Sequence, residues 1–237
     1  MSQSKTGYPD LHDHLETLKQ RGLLQVIDRP IDKDSELHPL VRWQFVGGMD
    51  EAERKAFLFT NIVNAKGRKY DIPVVVGALA ANREIYSVGM GSSVEEIQAR
   101  WDRAIANPIA PQMVDNAECQ EVVHEGAYLL GEGKGLDMLP IPISTPGFDS
   151  APTLTATNVI TVDPVTGVQN MGHLPLCSKS PRSNGRSHGH AGGRCRGLFA
   201  LPSLEEGRSQ NHAMCRCFGV PTLCGFHGPA KIADRHG

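Results

Sequence analysis

The sequence lacks an apolar run that could cross a bilayer. Its longest, Pro73 to Ala81, is about half of the ~20 residues that a spanning helix requires. The opening MSQSKTGYPD has no apolar heart of a secretory signal, so the expected compartment is cytoplasmic, where structural disulfides are rare. An excess of positive charge is missing too. With 24 Lys and Arg against 26 Asp and Glu, the chain has no broad electrostatic footprint for neutralising phosphates, which argues against nucleic acid as a partner. What is present is 237 residues, 40% of them hydrophobic, enough for one large or two small globular domains.

Composition changes after Gly172. Residues 1–172 carry 15 basic and 23 acidic residues, a balance of −8, whereas residues 173–237 carry 9 basic and 3 acidic, a balance of +6. The last 65 residues hold five of the six cysteines, six of the ten histidines and ten of the 25 glycines. They contain only Val220 and Ile232 of the 29 valines and isoleucines, where even spacing would place about eight. Strands are therefore not expected there, and the scattered Gly, Pro and Ser interrupt any helical stripe. An irregular, disordered tail is the expectation for 173–237.

The first 172 residues carry an α+β pattern. Asp10 can cap a helix in which Leu11, Leu15 and Leu18 share a face, with Gly22 where the chain leaves it. LLQVID suits a strand, Leu37 to Val46 a helix, Phe57 to Ile62 a strand, and Pro73 to Val76 a buried strand. Ser93-x-x-Glu96 reads as a capping box before a helix with Val94, Ile97, Trp101 and Ile105 on one face. Val122 to Leu130 and Leu139 to Ile143 are extended candidates. TLTATNVITVDPVTGV predicts a strand from Thr153 to Val162, a turn over Asp163–Gly167 and a second strand from Val168.

Several motifs have ordinary readings. Gly131-Glu132-Gly133-Lys134-Gly135 could cradle a phosphate, but Asp137 follows instead of the Ser or Thr of a phosphate loop, and an ordinary loop is expected. Gly89-Met90-Gly91 lacks the third glycine of a dinucleotide fingerprint and reads as a turn. His12 and His14 diverge on a helix and read as solvated surface. In the tail, His188, His190, Cys195, His212, Cys215, Cys217, Cys224 and His227 are zinc-ligand types. Their spacing is not that of a knuckle or finger, and no apolar residues recur to pack around a metal.

Ala151 to Gly172, APTLTATNVITVDPVTGVQNMG, resembles the signature of the UbiD-like carboxy-lyases, a strand followed by DPxTGxxNxG. PDLHDHLETLKQRGLLQVIDRPID looks like that family's opening helix and strand, and AFLFTNI and LPIPI stand at corresponding points, so the resemblance covers almost all of residues 8–172. It implies an N-terminal α/β domain over 1–115 and the beginning of a split-barrel flavin-binding domain over 116–172, followed by an out-of-family tail. The implied activity is reversible, non-oxidative decarboxylation of small aromatic or α,β-unsaturated carboxylic acids, using prenylated FMN, a divalent metal, usually Mn2+, and K+ at the cofactor phosphate. Loss of CO2 from an sp2 carbon leaves an unstabilised carbanion, hence a cofactor that takes up the electrons. By resemblance Asn170 is a metal ligand, and Asn170, Met171 and Gly172 begin the cofactor-binding backbone. The family commonly forms homo-oligomers.

The resemblance stops at Gly172. In the family's NxGxYR pattern a Tyr and a catalytic Arg should follow, but His173, Leu174 and Pro175 stand here, with Pro175 in the Arg position. The later carboxylates of the family are absent, so no catalytic residue is assigned. One-base displacement of the reading frame accounts for both the lost motif and the composition break. Codons for His-Leu-Pro, read one base forward, permit Thr-Tyr-Arg, and the same shift over Pro221 to His236 permits a string resembling the family's third-quarter strand and loop. The expectation is thus an inactive, truncated carboxy-lyase. The alternative is a noncatalytic flavin- or partner-binding protein whose Cys/His-rich tail binds metal.

Overall fold

A computed structural model describes residues 10–107, 109, 112–115, 121–129, 131–149, 152–154, 158–162, 169–173, 176–179, 188–191 and 231–233. The first helix, α1 (Leu11–Gln20), begins where the Asp10 side chain accepts the Asp13 amide at 3.0 Å, and the chain leaves it through Gly22 at φ +69°. Then follow β1 (Leu24–Ile27), β2 (Ile31–Asp32), α2 (Leu37–Val46), β3 (Ala56–Phe59), β4 (Ile62–Val63), β5 (Lys69–Tyr70) and β6 (Val74–Val76). Two helices come next, α3 (Arg83–Met90) and α4 (Ile97–Ala106).

Strands β1, β3 and β6 form one sheet in that order, β1 parallel and β6 antiparallel to β3. A second small sheet has the order β2-β4-β5. Alternation along β6 sends Val74 and Val76 to one apolar cluster and Val75 to another. The first cluster joins Ile31, Leu37, Val41, Phe59, Ile62 and Tyr70, seating α2 on both sheets. The second joins Leu18, Ala56, Ala78, Ala81 and Ile85, seating α1 and α3 on the opposite face. Removing side chains such as Phe59 or Leu18 from water supplies about 1.5–3 kcal/mol each.

Four expectations change here. The run Phe57 to Ile62 is two strands in two sheets, because the Thr60 amide still bonds the Ile27 carbonyl while the Asn61 carbonyl already accepts the Ile31 amide. Of the Pro73 to Val76 run, Pro73 is exposed and Val74–Val76 are half-buried rather than buried, since β6 lies at the sheet's edge. Ser93 and Glu96 form no capping box. The Ser93 carbonyl, not its hydroxyl, closes that turn with the Glu96 amide, α4 starts only at Ile97 without a side-chain cap, and Ile105 is largely exposed. Finally, Val122 to Leu130 is not extended throughout: Gly126–Leu129 is a 3-10 turn, with Val122 and Tyr128 facing solvent.

The later strands are β7 (Gln112–Val114), β8 (Thr153–Leu154), β9 (Asn158–Val162), β10 (Gln169–His173), β11 (Leu176–Lys179), β12 (His188–Ala191) and β13 (Lys231–Ala233). The stretch from Thr153 to Val162 therefore holds two strands of different sheets, β8 pairing with β11 and β9 with β10. The turn expected over Asp163–Gly167 lies outside the described residues. Three short strands fall after Gly172, where none was expected: β11 pairs antiparallel with β8 and β12, and β13 runs parallel to β7. Pairing is a backbone hydrogen-bond pattern, so Ser, Gly and His can occupy a ladder despite poor strand propensity. The architecture is α+β.

Candidate functional site

The strand that carries the sequence-predicted site is β10. Its antiparallel register with β9 sets Asn170 opposite Thr161, Met171 opposite Ile160 and Gly172 opposite Val159. The ladder continues one residue beyond the Asn-x-Gly motif, pairing His173 with Asn158. Pro175, which the resemblance puts in the position of the family's arginine, lies outside the described residues.

A metal that bridges a cofactor phosphate needs several hard donors around the Asn170 carbonyl oxygen. Among the described residues, no group of three His, Cys, Asp or Glu stands close enough to hold a metal ion. His188 and His190 lie on β12, with His190 in register with Cys177 of β11. The remaining zinc-type residues of the tail are outside the described residues.

The glycine-rich loop carries an anion of its own. Gly131, Gly133 and Gly135 all take positive φ, and the Gly133 amide donates to Asp137 Oδ2 at 2.6 Å. Arg68 Nη1 donates to the same oxygen at 2.8 Å, and its guanidinium lies over the Tyr70 ring at 4.8 Å. The Asp137 carboxylate thus already engages the Gly133 amide and the Arg68 guanidinium. Gly89 and Met90 belong to the end of α3, where Gly91 at φ +60° is the left-handed cap, so the expected turn is a helix terminus.

The histidine pair divides. His12 is exposed, but His14 is fully buried and its Nε2 lies 2.7 Å from the Ala78 carbonyl, which corrects its surface reading. A carbonyl only accepts, so the proton of that contact sits on Nε2. Burial lowers the His14 pKa, partly opposed by this bond. Burial likewise lowers that of His38, against the pull of the Asp149 carboxylate. Both lie away from the β9–β10 motif in sequence.

Sequence reasoning also passed over Lys33, which is buried at 6% exposure. Its Nζ contacts Asp34 Oδ1 at 2.5 Å and donates to the Ile141 carbonyl at 3.0 Å. The alternation Ile31, Lys33 along an extended segment was the available signal, because residues two apart share a face. A surface groove of about 690 Å³ lies between α1 and the end of α3, bordered by Arg21, Glu84, Glu95 and Glu96.

No family model matches the chain. Solved structures do: the fold is like that of UbiD-class enzymes. An evolved dimeric form of the UbiD-class enzyme HmfF from Pelotomaculum thermopropionicum, in complex with prenylated FMN, is 29% identical with a TM-score of 0.58, over 71% of this chain and 36% of that one. The 3,4-dihydroxybenzoic acid decarboxylase AroY of Klebsiella pneumoniae is 23% identical with a TM-score of 0.59, over 80% of this chain and 38% of that one. The vanillic acid decarboxylase of Sedimentibacter hydroxybenzoicus, at 21% identity and a TM-score of 0.57, shares the fold over 73% of this chain and 36% of its own. The chain thus spans little more than a third of the length of each of these three. Among the described residues, no helix is long and apolar enough to cross a membrane.

Proposed function

We propose that this chain is the front portion of a UbiD-class decarboxylase, a non-oxidative carboxy-lyase for aromatic or α,β-unsaturated carboxylic acids, and that the polypeptide as written is inactive. The observation that carries this reading is the 29% identity to HmfF over 71% of the chain. The DPxTGxxNxG resemblance at Asp163 to Gly172 agrees with it. HmfF binds prenylated FMN or FMN in its solved structures, which supports a flavin as the ancestral cofactor here. In this reading residues 1–115 form the N-terminal domain and 116–172 open a split-barrel flavin domain. Asn170 is the remnant of the metal and phosphate site for Mn2+ and K+, and Met171 and Gly172 begin the flavin-contacting backbone. The residues after Gly172 are read one base out of phase.

The test is genetic and then chemical. A one-base gain or loss near codon 173 should be found when the coding DNA is compared with its nearest full-length homologues. The frame-restored gene, expressed with prenylated FMN, should release CO2 from at least one aromatic or unsaturated acid. Absence of the Thr-Tyr-Arg codons from the neighbouring frame would overturn the frame reading. A frame-restored, flavin-loaded product inert toward all such acids would overturn the activity.

A further inference from the structure

We propose that Lys33 is a positioning residue, a buried ammonium that fixes the register in which the 139–149 strap seats against the β2-β4-β5 sheet. A lysine at 6% exposure demands an explanation, because an unpaired buried cation is costly and a methionine of similar length would fill the same space. Its partners supply one. The Lys33 Nζ meets Asp34 Oδ1 at 2.5 Å, lies over the Tyr70 ring at 5.9 Å and donates to the Ile141 carbonyl at 3.0 Å. Two of these are local or lie within the same sheet, β2-β4-β5. The third crosses more than a hundred residues of sequence to the strap.

The main chain repeats the link. Lys33 donates its amide to the Val63 carbonyl at 2.9 Å, extending the β2–β4 pairing, while its own carbonyl accepts the Ile143 amide at 3.3 Å. The strap is held two residues apart by one residue, at Ile141 through the side chain and at Ile143 through the backbone. Between them the Pro142 carbonyl accepts the Thr153 amide at 3.1 Å, at the start of β8. Beyond, the Asp149 carboxylate and the Thr145 main chain close the strap's far turn.

The directional ammonium bond is what discriminates between registers. An apolar contact slides at little cost, whereas moving the strap by one residue would turn the Ile141 carbonyl away and strand the ammonium. Prolines at 140 and 142 remove two amides from the strap, so it cannot zip onto β2 as an ordinary strand and has few backbone bonds to hold it. Lys33 provides the missing specification.

Hydrogen–deuterium exchange on the full chain tests this. Lys33→Met should leave amide protection in β1 and β3 unchanged and speed exchange at Ile143 and Thr153 by about tenfold or more, as expected for local opening. Arg68→Ala, which frees the 131–137 loop instead, should not affect Ile143 or Thr153. Unchanged protection at Ile143 and Thr153 in a folded Lys33→Met chain overturns the proposal. Should Lys33→Met unfold the core, Asp34→Asn decides: faster exchange confined to the strap supports the proposal, while no strap effect, or strap and core failing together, overturns it. None of these readouts depends on flavin or turnover, so the proposed function can fail without affecting them.

Discussion

His14 Nε2 lies 2.7 Å from the carbonyl oxygen of Ala78, a bond that ties α1 to the segment following β6 inside a cluster built on Leu18, Ala56 and Ile85. Burial lowers the pKa of this imidazole from the usual histidine value and, against the pull of Asp149, that of His38 as well. In the unfolded chain both titrate near 6.5, so the unfolded state binds more protons as the solution is acidified. Stability is therefore complete above pH 6.5 and is lost as pH falls through that value towards the depressed folded pKa values. Urea midpoints measured from about pH 8 down to about pH 5 should decline, and His14→Gln with His38→Gln should flatten the decline over the upper part of that range. An unchanged slope in the double variant would refute the assignment.

Gln44 bridges α2 to the start of β3 with both ends of its amide. Nε2 donates to the Lys55 carbonyl at 3.0 Å, and Oε1 accepts the Lys55 amide at 2.9 Å, with the side chain only 3% exposed. Gln44→Leu fits the volume but leaves two backbone groups without their partner. The expected loss is about 2–4 kcal/mol, read as a lower denaturant midpoint with an unchanged slope.

The internal carboxylate of the 131–137 loop predicts indifference to added phosphate. Asp137 already accepts from the Gly133 amide and from Arg68. Inorganic phosphate should not shift the Gly133 amide resonance of the wild-type chain. The ion pair is partly exposed, so Asp137→Ala should cost about 1 kcal/mol or less. Gly133→Ala should cost more than the ion pair does, because φ is +74° and the new methyl would stand 3.2 Å from Arg68 Nη2.

Helix α1, strand β1 and helix α2 were legible in the sequence because each carries its own local signal: a capping Asp, a run between Gly22 and Pro30, and a ten-residue helix whose bounds match the expected ones. Helix α3 was not recognised, although Asn82 caps it by accepting the Ile85 amide at 2.7 Å. The Ser93-x-x-Glu96 pattern pointed instead to the next helix, α4, and set its start too early. His14 could have been placed inside, since Leu11, His14, Leu15 and Leu18 follow the helical stripe, but comparison with His12 alone hid this. Strand membership was the least legible feature. Where Phe59 gives way to Ile62, or Leu154 to Asn158, the choice of sheet depends on distant partners that no local window contains. For the candidate site, the motif around Asn170 was visible in sequence, whereas the partner of Lys33 was not, because it lies at Ile141.

The chain as written should release no CO2. Decarboxylation requires the substrate carboxylate to be held in one orientation and a proton to be delivered to the carbon it leaves. Pro175 has neither charge nor donor for the first task, and the resemblance to the family ends before any acid that could perform the second. Among the described residues, no three His, Cys, Asp or Glu side chains gather to hold a metal ion. Purified chain supplied with prenylated FMN, Mn2+, K+ and a panel of hydroxybenzoic and cinnamic acids should give CO2 at the level of the protein-free control. Separating chain from free flavin by gel filtration should leave no stoichiometric flavin with the protein. Turnover above the control with any acid would mean that residues beyond Gly172 complete a working site, and the out-of-phase reading of the tail would then be wrong.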